Sequence, residues 1–177
     1  MVEKCRLIYK GDIWAGGFYL LHSVIFAVFS IGLYFFTERL GWYILSIGLA
    51  TISFYCLFKG WGLVYISFQR YKFYKDKEEL TPEQLKDELD YIEYRLQKKK
   101  TNRRRYIWTA VLASVFAFIG VFLPQKSHIL GTMVPVAIMA SFEFGVGLLT
   151  EFRLWGFHRL LYKTLHGEEH ESNAHYG

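Results

Sequence analysis

The sequence predicts an all-α membrane protein with four transmembrane helices arranged as two hairpins. Each of four apolar stretches approaches the roughly 20 residues that a helix needs to cross a bilayer. They lie at residues 18–36, 42–58, 106–123 and 131–150. One heavily charged segment separates them into two pairs, and the basic residues concentrate in that segment and near the termini.

The distribution of basic residues predicts the orientation in the membrane. Twelve of the 21 Lys and Arg residues lie between Arg70 and Arg105, whereas the two hairpin loops carry only Arg39 and Lys126. Short cytoplasmic loops are the ones enriched in Lys and Arg. Both termini and the central segment are therefore expected in the cytoplasm, in a multi-pass protein of the plasma or inner membrane.

Four regions follow from this layout. Each hairpin ends in an aromatic, basic segment that we expect to form an interfacial helix on the inner leaflet, at 61–74 and 153–165. The regions are a first transmembrane hairpin with its interfacial helix (1–75), a cytoplasmic amphipathic helix and polybasic segment (76–105), a second hairpin with its interfacial helix (106–165), and a disordered C-terminal tail (166–177).

The two hairpins share short motifs at an offset of 94 residues. Ile13-Trp14 corresponds to Ile107-Trp108, and Phe58–Leu63 (FKGWGL) corresponds to Phe152–Phe157 (FRLWGF). One interpretation is a tandem repeat of two parallel units. The alternative is convergence, because any helix leaving the membrane on the cytoplasmic side favours an aromatic residue and a cation at the headgroup level.

The charged segment contains its own helix. Thr81 and Gln84 form a capping box with Pro82 at the first helical position. An apolar stripe follows at helical spacing, and its members are Leu85, Leu89, Ile92 and Leu96. The stripe either packs on the chain's own segment 61–74 or the membrane surface, or it forms a short coiled coil with a partner helix.

A basic run ends this helix. We expect it to contact anionic lipid headgroups, where each charge contributes about 1 kcal/mol, or else an acidic protein partner. Nucleic acid is excluded as a partner because the charges lie at the membrane boundary without interleaved aromatic residues. The run consists of Lys98, Lys99, Lys100, Arg103, Arg104 and Arg105.

Glu143 is the most informative single residue, because it lies inside the fourth apolar stretch. A charged residue there costs several kcal/mol unless it is paired, protonated or turned to the bundle interior. It is either a proton or cation site or a protonated packing residue. Lys59, at the end of the second stretch, is either a snorkelling side chain or its charge partner.

Two further polar residues share a predicted depth with Lys59. His22 and Glu151 are expected near the inner membrane boundary, so we group them with Lys59 and Glu143 as candidates for an ion or proton pathway. A row of small residues, Ala137, Ser141 and Gly145, predicts close helix packing along one edge of the fourth stretch.

The sequence carries no phosphate-binding loop, Cys-x-x-Cys pair or His-Glu-x-x-His motif, and we predict no enzymatic activity, cofactor or metal site. A haem or redox role for His22 is the weakest hypothesis, and the three histidines after residue 165 are assigned to the tail. The favoured hypothesis is a homo-oligomeric or accessory interaction subunit, or a membrane effector, that couples its cytoplasmic helix to a soluble partner. The alternative is a small ion or proton channel, or transporter subunit, that uses Glu143.

Overall fold

Four long helices make up the protein. The computed structural model describes residues 1–36 and 39–174, with side chains as far as residue 165. This confirms the all-α prediction. The helices are α1 (Val2–Phe36), α2 (Leu40–Lys75), α3 (Pro82–Gly120) and α4 (Lys126–Ala174).

Three of the helices are long and apolar enough to cross a membrane: α1, α2 and the part of α4 up to Leu165. Many of their large apolar side chains are exposed, such as Phe35 and Phe58. Apolar surface of this extent is typical of a membrane-contacting protein. The crossing predicted at 106–123 lies within α3, which is not among the three, and it stays a prediction.

α1 and α2 pack along each other in antiparallel directions, and their contacts repeat every seven residues. Three pairs of buried residues face each other along the two helices. In order along α1, they are Gly16 with Gly60, Ser23 with Ser53 and Ser30 with Ser46. In each serine pair, both hydroxyls donate to the backbone carbonyl of the opposite residue at 2.8 Å. A seven-residue repeat keeps one seam between two helices that coil around each other in a left-handed sense.

α3 begins where the capping box predicts. The Gln84 backbone N–H donates to Thr81 Oγ1 at 3.3 Å, and the Thr81 backbone N–H donates to Gln84 Oε1 at 3.4 Å. The helix then runs without interruption through the polybasic run to Gly120. The helix predicted to lie in the cytoplasm and the third apolar stretch are therefore a single element.

The separate interfacial helices predicted at 61–74 and 153–165 are wrong as elements, because α2 and α4 continue straight through both segments. Some of their apolar side chains, including Tyr74, Leu154 and Leu161, are buried in a cluster with α1 and α3, whereas others, such as Trp61 and Phe68, are exposed. One side of each segment therefore packs against other helices of the chain. α4 also continues to Ala174, into the segment expected to be a tail, and residues 175–177 lie outside the described residues.

Glycines position α2 against α4 near the other end of the molecule. A Cβ added at Gly131 would lie 2.8 Å from the Gly41 carbonyl oxygen, and one added at Gly48 would lie 2.5 Å from Pro135 Cγ. The predicted packing row behaves differently, since Ser141 is exposed and a Cβ at Gly145 would meet nothing within 4 Å. Ala137 is only partly buried. This row is therefore not a helix contact within the chain.

The 94-residue offset also relates buried positions. Seven buried residues of α2 have a counterpart among the described side chains of α4 when they are displaced by 94, and six of these counterparts are buried. The offset comes from sequence motifs and not from burial, so this agreement is an independent observation. The pairs are Ser46/Ala140, Leu49/Glu143, Ile52/Val146, Cys56/Thr150, Gly60/Leu154 and Ser67/Leu161.

Candidate functional site

A buried carboxylate joins three helices at the end of the molecule that carries the N-terminus. Asp12 of α1 is 1% exposed. Its Oδ1 accepts a hydrogen bond from Arg153 of α4 at 2.6 Å, and its Oδ2 forms an ion pair with Arg95 of α3 at 2.8 Å. Burial alone would lower the pKa of Arg95, but the Asp12 carboxylate outweighs this effect and raises it. Charge pairing with Asp12 therefore stabilises the ionised Arg95 guanidinium between the helices.

A second buried carboxylate connects α3 with α1 and α2. Glu88 accepts hydrogen bonds from the hydroxyls of Tyr9 and Tyr74, the latter at 2.7 Å, and it pairs with Arg70 at 3.2 Å. The rings of Tyr9 and Tyr74 stack with their centroids 5.7 Å apart. The Arg70 guanidinium also lies 3.5 Å from the centroid of Tyr91. Each polar group is thus satisfied by a neighbouring helix.

The predicted apolar stripe lies against these ion pairs. Its four members, Leu85, Leu89, Ile92 and Leu96, are at most 8% exposed and pack with residues of all three other helices, Cys5 and Leu154 among them. Of the two alternatives, the structure favours packing within the chain. The stripe is accordingly covered and not offered to a partner helix.

Glu143 and Lys59 lie together. The Lys59 ammonium forms an ion pair with Glu143 Oε2 and donates to the Tyr55 hydroxyl at 2.9 Å. Glu143 is 2% exposed, and neither its Oε1 nor the buried Tyr19 hydroxyl makes a hydrogen bond to any described residue. Of the two interpretations of Lys59, the structure therefore shows the charge partner, and it leaves one carboxylate oxygen of Glu143 free to accept.

A small cavity opens beside this ion pair. Its volume is about 30 Å³, enough for one water molecule. Burial lowers the pKa of Lys99 on its wall, and the like charge of Lys59 lowers it further. The lining residues come from α2, α3 and α4 and are Lys59, Lys99, Asn102, Arg103, Tyr106, Glu143, Phe144 and Gly147.

The other two members of the predicted pathway lie apart. His22 Nδ1 contacts the Phe18 carbonyl at 2.9 Å, and its ring lies 4.7 Å from that of Phe142. Glu151 is bound by Arg103 Nη1 at 3.0 and 3.2 Å. The structure thus brings Lys59 to Glu143, while His22 and Glu151 make contacts of their own.

The basic run divides between two sides of α3. Lys99 and Arg103 line the cavity toward α4. On another side Lys100, Arg104 and Arg105 surround an open, shallow surface beside Trp108. Lys98 lies near the ring of Tyr94, with 5.7 Å between its ammonium and the ring centroid. Apart from Lys98, the residues of the run therefore form two distinct basic surfaces.

Within the described residues, no group of three or more His, Cys, Asp or Glu side chains is placed to hold a metal ion. The side chains of His166, His170 and His175 lie outside that part of the chain. Cys5 and Cys56 are buried, free thiols.

Sequence reasoning missed Asp12 and Glu88, as well as the seam between α1 and α2. The signal for the seam was present as a seven-residue spacing of small residues in two neighbouring apolar stretches. Asp12 carried a weaker signal, since it is an acidic residue six positions before the apolar stretch at 18–36.

Comparison with known proteins adds no assignment. No family model, curated protein or solved structure matches this chain. Three arrangements are the candidate functional features of the chain. They are the ion pairs of Asp12 and Glu88, the Lys59–Glu143 pair, and the basic surfaces of α3.

Proposed function

We propose that this chain is a non-enzymatic integral membrane protein of the plasma or inner membrane that acts as a homo-oligomeric or accessory interaction subunit. In this proposal α3 crosses the membrane at 106–123, which gives four spans in two hairpins with both termini in the cytoplasm. The exposed apolar side chains of α3 beyond Ile107 support the fourth crossing. The matched burial of α2 and α4 supports a tandem repeat.

One observation carries the proposal. Each proposed span continues without a break into the cytoplasmic region, where Asp12 and Glu88 tie together side chains from all four helices. A force applied to that region is therefore transmitted along continuous helices into the membrane. Such mechanical continuity suits a subunit that couples a soluble partner to membrane helices.

The proposed partner contact differs from the covered stripe. The outward side of α3 carries charged residues, and a soluble partner would meet these first. Exposed members of this surface are Lys86, Asp87, Asp90 and Tyr94.

The fourth crossing is tested by labelling single cysteines in sealed cells with a membrane-impermeant maleimide. The native Cys5 and Cys56 are both 0% exposed and are expected to be unreactive. Four spans predict that Gln125→Cys reacts from outside and that Glu79→Cys reacts only after permeabilisation. If α3 does not cross, both positions stay protected in sealed cells.

The subunit role is tested by mass measurement in nanodiscs. We expect a defined homo-oligomer or a stoichiometric complex with a soluble protein. In a complex, the Asp87→Lys/Asp90→Lys variant should lose the soluble partner while its thermal stability is retained. A monomer without a stoichiometric partner would contradict the proposal.

The unpaired Oε1 of Glu143 favours a second candidate, a proton or cation site. The adjoining cavity lies on the side of the basic run, which is cytoplasmic in this topology. Toward the opposite side, the buried serines of α1 and α2 are bonded to each other. A single chain therefore offers a one-sided site, and a complete pathway would need a second copy.

Proteoliposome flux distinguishes the two candidates. A channel or transporter subunit should lose proton or cation flux on Glu143→Gln while its assembly stays intact. The matched control is Glu151→Gln, which removes a carboxylate that is bound to Arg103 at a different contact. Unchanged flux in the Glu143 variant, with altered stability, would leave Glu143 a packing residue.

A further inference from the structure

The walls of the Glu143 cavity hold more positive than negative charge. Lys59 is paired with Glu143, and Arg103 contacts Glu151 through Nη1 alone. Lys99 makes no ion pair with any described residue and faces the like charge of Lys59. A half-buried ammonium in such surroundings is stabilised by an anion from outside the chain.

An apolar groove adjoins the cavity at Arg103. Its volume is about 190 Å³, and Leu148, Phe152 and Trp155 of α4 line it together with Arg103 and Glu151. Arg103 belongs to both spaces. Positive charge and hydrogen-bond donors thus lie on the cavity side of Arg103, and apolar side chains lie on its groove side.

We propose that this groove binds one anionic phospholipid of the inner leaflet. Its phosphate ester lies at the cavity mouth against Lys99, Asn102 and Arg103, and an acyl chain follows Leu148 and Phe152. The site rests on the four-span placement proposed above, which puts the groove at the cytoplasmic membrane boundary. The cavity itself, at about 30 Å³, has room for one water molecule and not for a phosphate, so the phosphate stays at its mouth, apart from Glu143.

The second basic surface of α3 makes a different kind of contact. Lys100, Arg104 and Arg105 come from a single helix, and their surface is wide open. Such a surface attracts headgroups through charge alone. The groove combines basic and polar groups of α3 with apolar side chains of α4, so it should retain a lipid that the open surface exchanges rapidly.

Native mass spectrometry of the detergent-purified full chain tests the site with phosphatidylglycerol as probe. Wild-type protein should retain one phosphatidylglycerol and bind phosphatidylcholine more weakly. Lys99→Gln should weaken retention about fivefold, the effect of one lysine charge near a membrane surface. Lys100→Gln is the charge-matched control and should leave retention unchanged.

Equal losses in the two variants, or no retained lipid in the wild type, would overturn the proposal. Should Lys99→Gln not fold, Asn102→Asp introduces a negative charge at the same mouth and must also weaken retention. Inorganic phosphate distinguishes the source of the anion. If phosphate alone displaces the lipid and protects the protein thermally in a Lys99-dependent way, the ligand is free phosphate and the lipid assignment is wrong.

The oligomeric mass is read in the same spectra. A monomer that retains one phosphatidylglycerol would contradict the subunit proposal and leave the lipid site intact. An oligomer without bound lipid would contradict the lipid site and leave the subunit proposal intact.

Discussion

The two ends of the α1–α2 pair share one register and differ in nearly every side chain. In the apolar part, Ser23 and Ser30 face Ser53 and Ser46. One and two heptads before Gly16, the same seam holds Tyr9 and Val2, which are buried among aromatic and charged groups. The two helices thus keep one pairing geometry along their length, while the contacts that stabilise it change from serine hydrogen bonds to buried aromatic and charged side chains.

In the proposed topology, the surrounding solvent explains this difference, because the part with Tyr9 lies in water and the part with the serine pairs lies in lipid. In water, burying Tyr9 and Leu154 is favourable in itself. Lipid supplies no such driving force, so helices associate through close backbone packing and interhelical hydrogen bonds. Small residues are therefore needed in the apolar part, and large side chains with paired charges fill the other.

The largest loss of stability is expected for Asp12→Asn. It removes the charge that compensates Arg95 and Arg153, and breaking a buried pair in this way costs about 3 kcal/mol or more. Thermal and denaturant unfolding in detergent should show this loss. Asp90→Asn is the matched control on the exposed side of α3 and should change stability by less than about 0.5 kcal/mol. Equal effects would mean that burial of the carboxylate is irrelevant.

The apolar part of the large-residue cluster is tested by Ile92→Ala. Ile92 is 0% exposed and packs within the chain, so its truncation should cost about 2–4 kcal/mol. Tyr94→Ala, at a side chain 58% exposed, should cost far less.

Dilution then separates the two interpretations of the stripe. Intramolecular packing predicts that the stability lost in Ile92→Ala is independent of protein concentration. A loss that grows on dilution would instead indicate that a second chain covers the stripe.

Close packing in the small-residue part is broken by Gly60→Ala. The added Cβ would lie 2.9 Å from both the Gly16 carbonyl oxygen and Tyr19 Cβ, so backbone must shift. Overpacking of this kind costs about 1–3 kcal/mol. At Gly62 a Cβ meets nothing within 4 Å. Gly62→Ala should therefore stabilise the helix by up to about 1 kcal/mol. If both variants changed the free energy of unfolding in the same direction, the close contact at Gly60 would be refuted.

The features that sequence reasoning predicted well are local. The capping box at Thr81 and the helical spacing from Leu85 to Leu96 involve neighbours in the chain, so periodicity reveals them. Periodicity shows that a face is buried and not which helix buries it. The pairing of Lys59 with Glu143 spans 84 residues, and one sequence contains no record of that distance.

The wrong predictions arose where one sequence pattern fits two different structures. The aromatic and basic residues after Trp61 suit an interfacial helix as well as a helix packed in a bundle, and the cluster around Tyr74 shows that this part of α2 packs against other helices. Likewise, small residues recur every four positions at Ala137–Gly145 and every seven at Gly16–Ser30. The structure uses the second spacing, which matches a long seam between two helices.

The smallest expected effect concerns the serine bonds themselves. If close packing dominates the apolar part, removing the hydroxyls of Ser23 and Ser53 should matter little, since interhelical hydrogen bonds in membranes average about 0.6 kcal/mol. A double-mutant cycle of Ser23→Ala and Ser53→Ala, measured by unfolding in detergent, isolates their coupling. The exposed Thr51→Ala, whose hydroxyl donates within its own helix to Ile47, gives the baseline for losing a local bond. A coupling above about 2 kcal/mol would exceed the range measured for such bonds. The polar groups would then hold this part of the molecule together as the ion pairs hold the other.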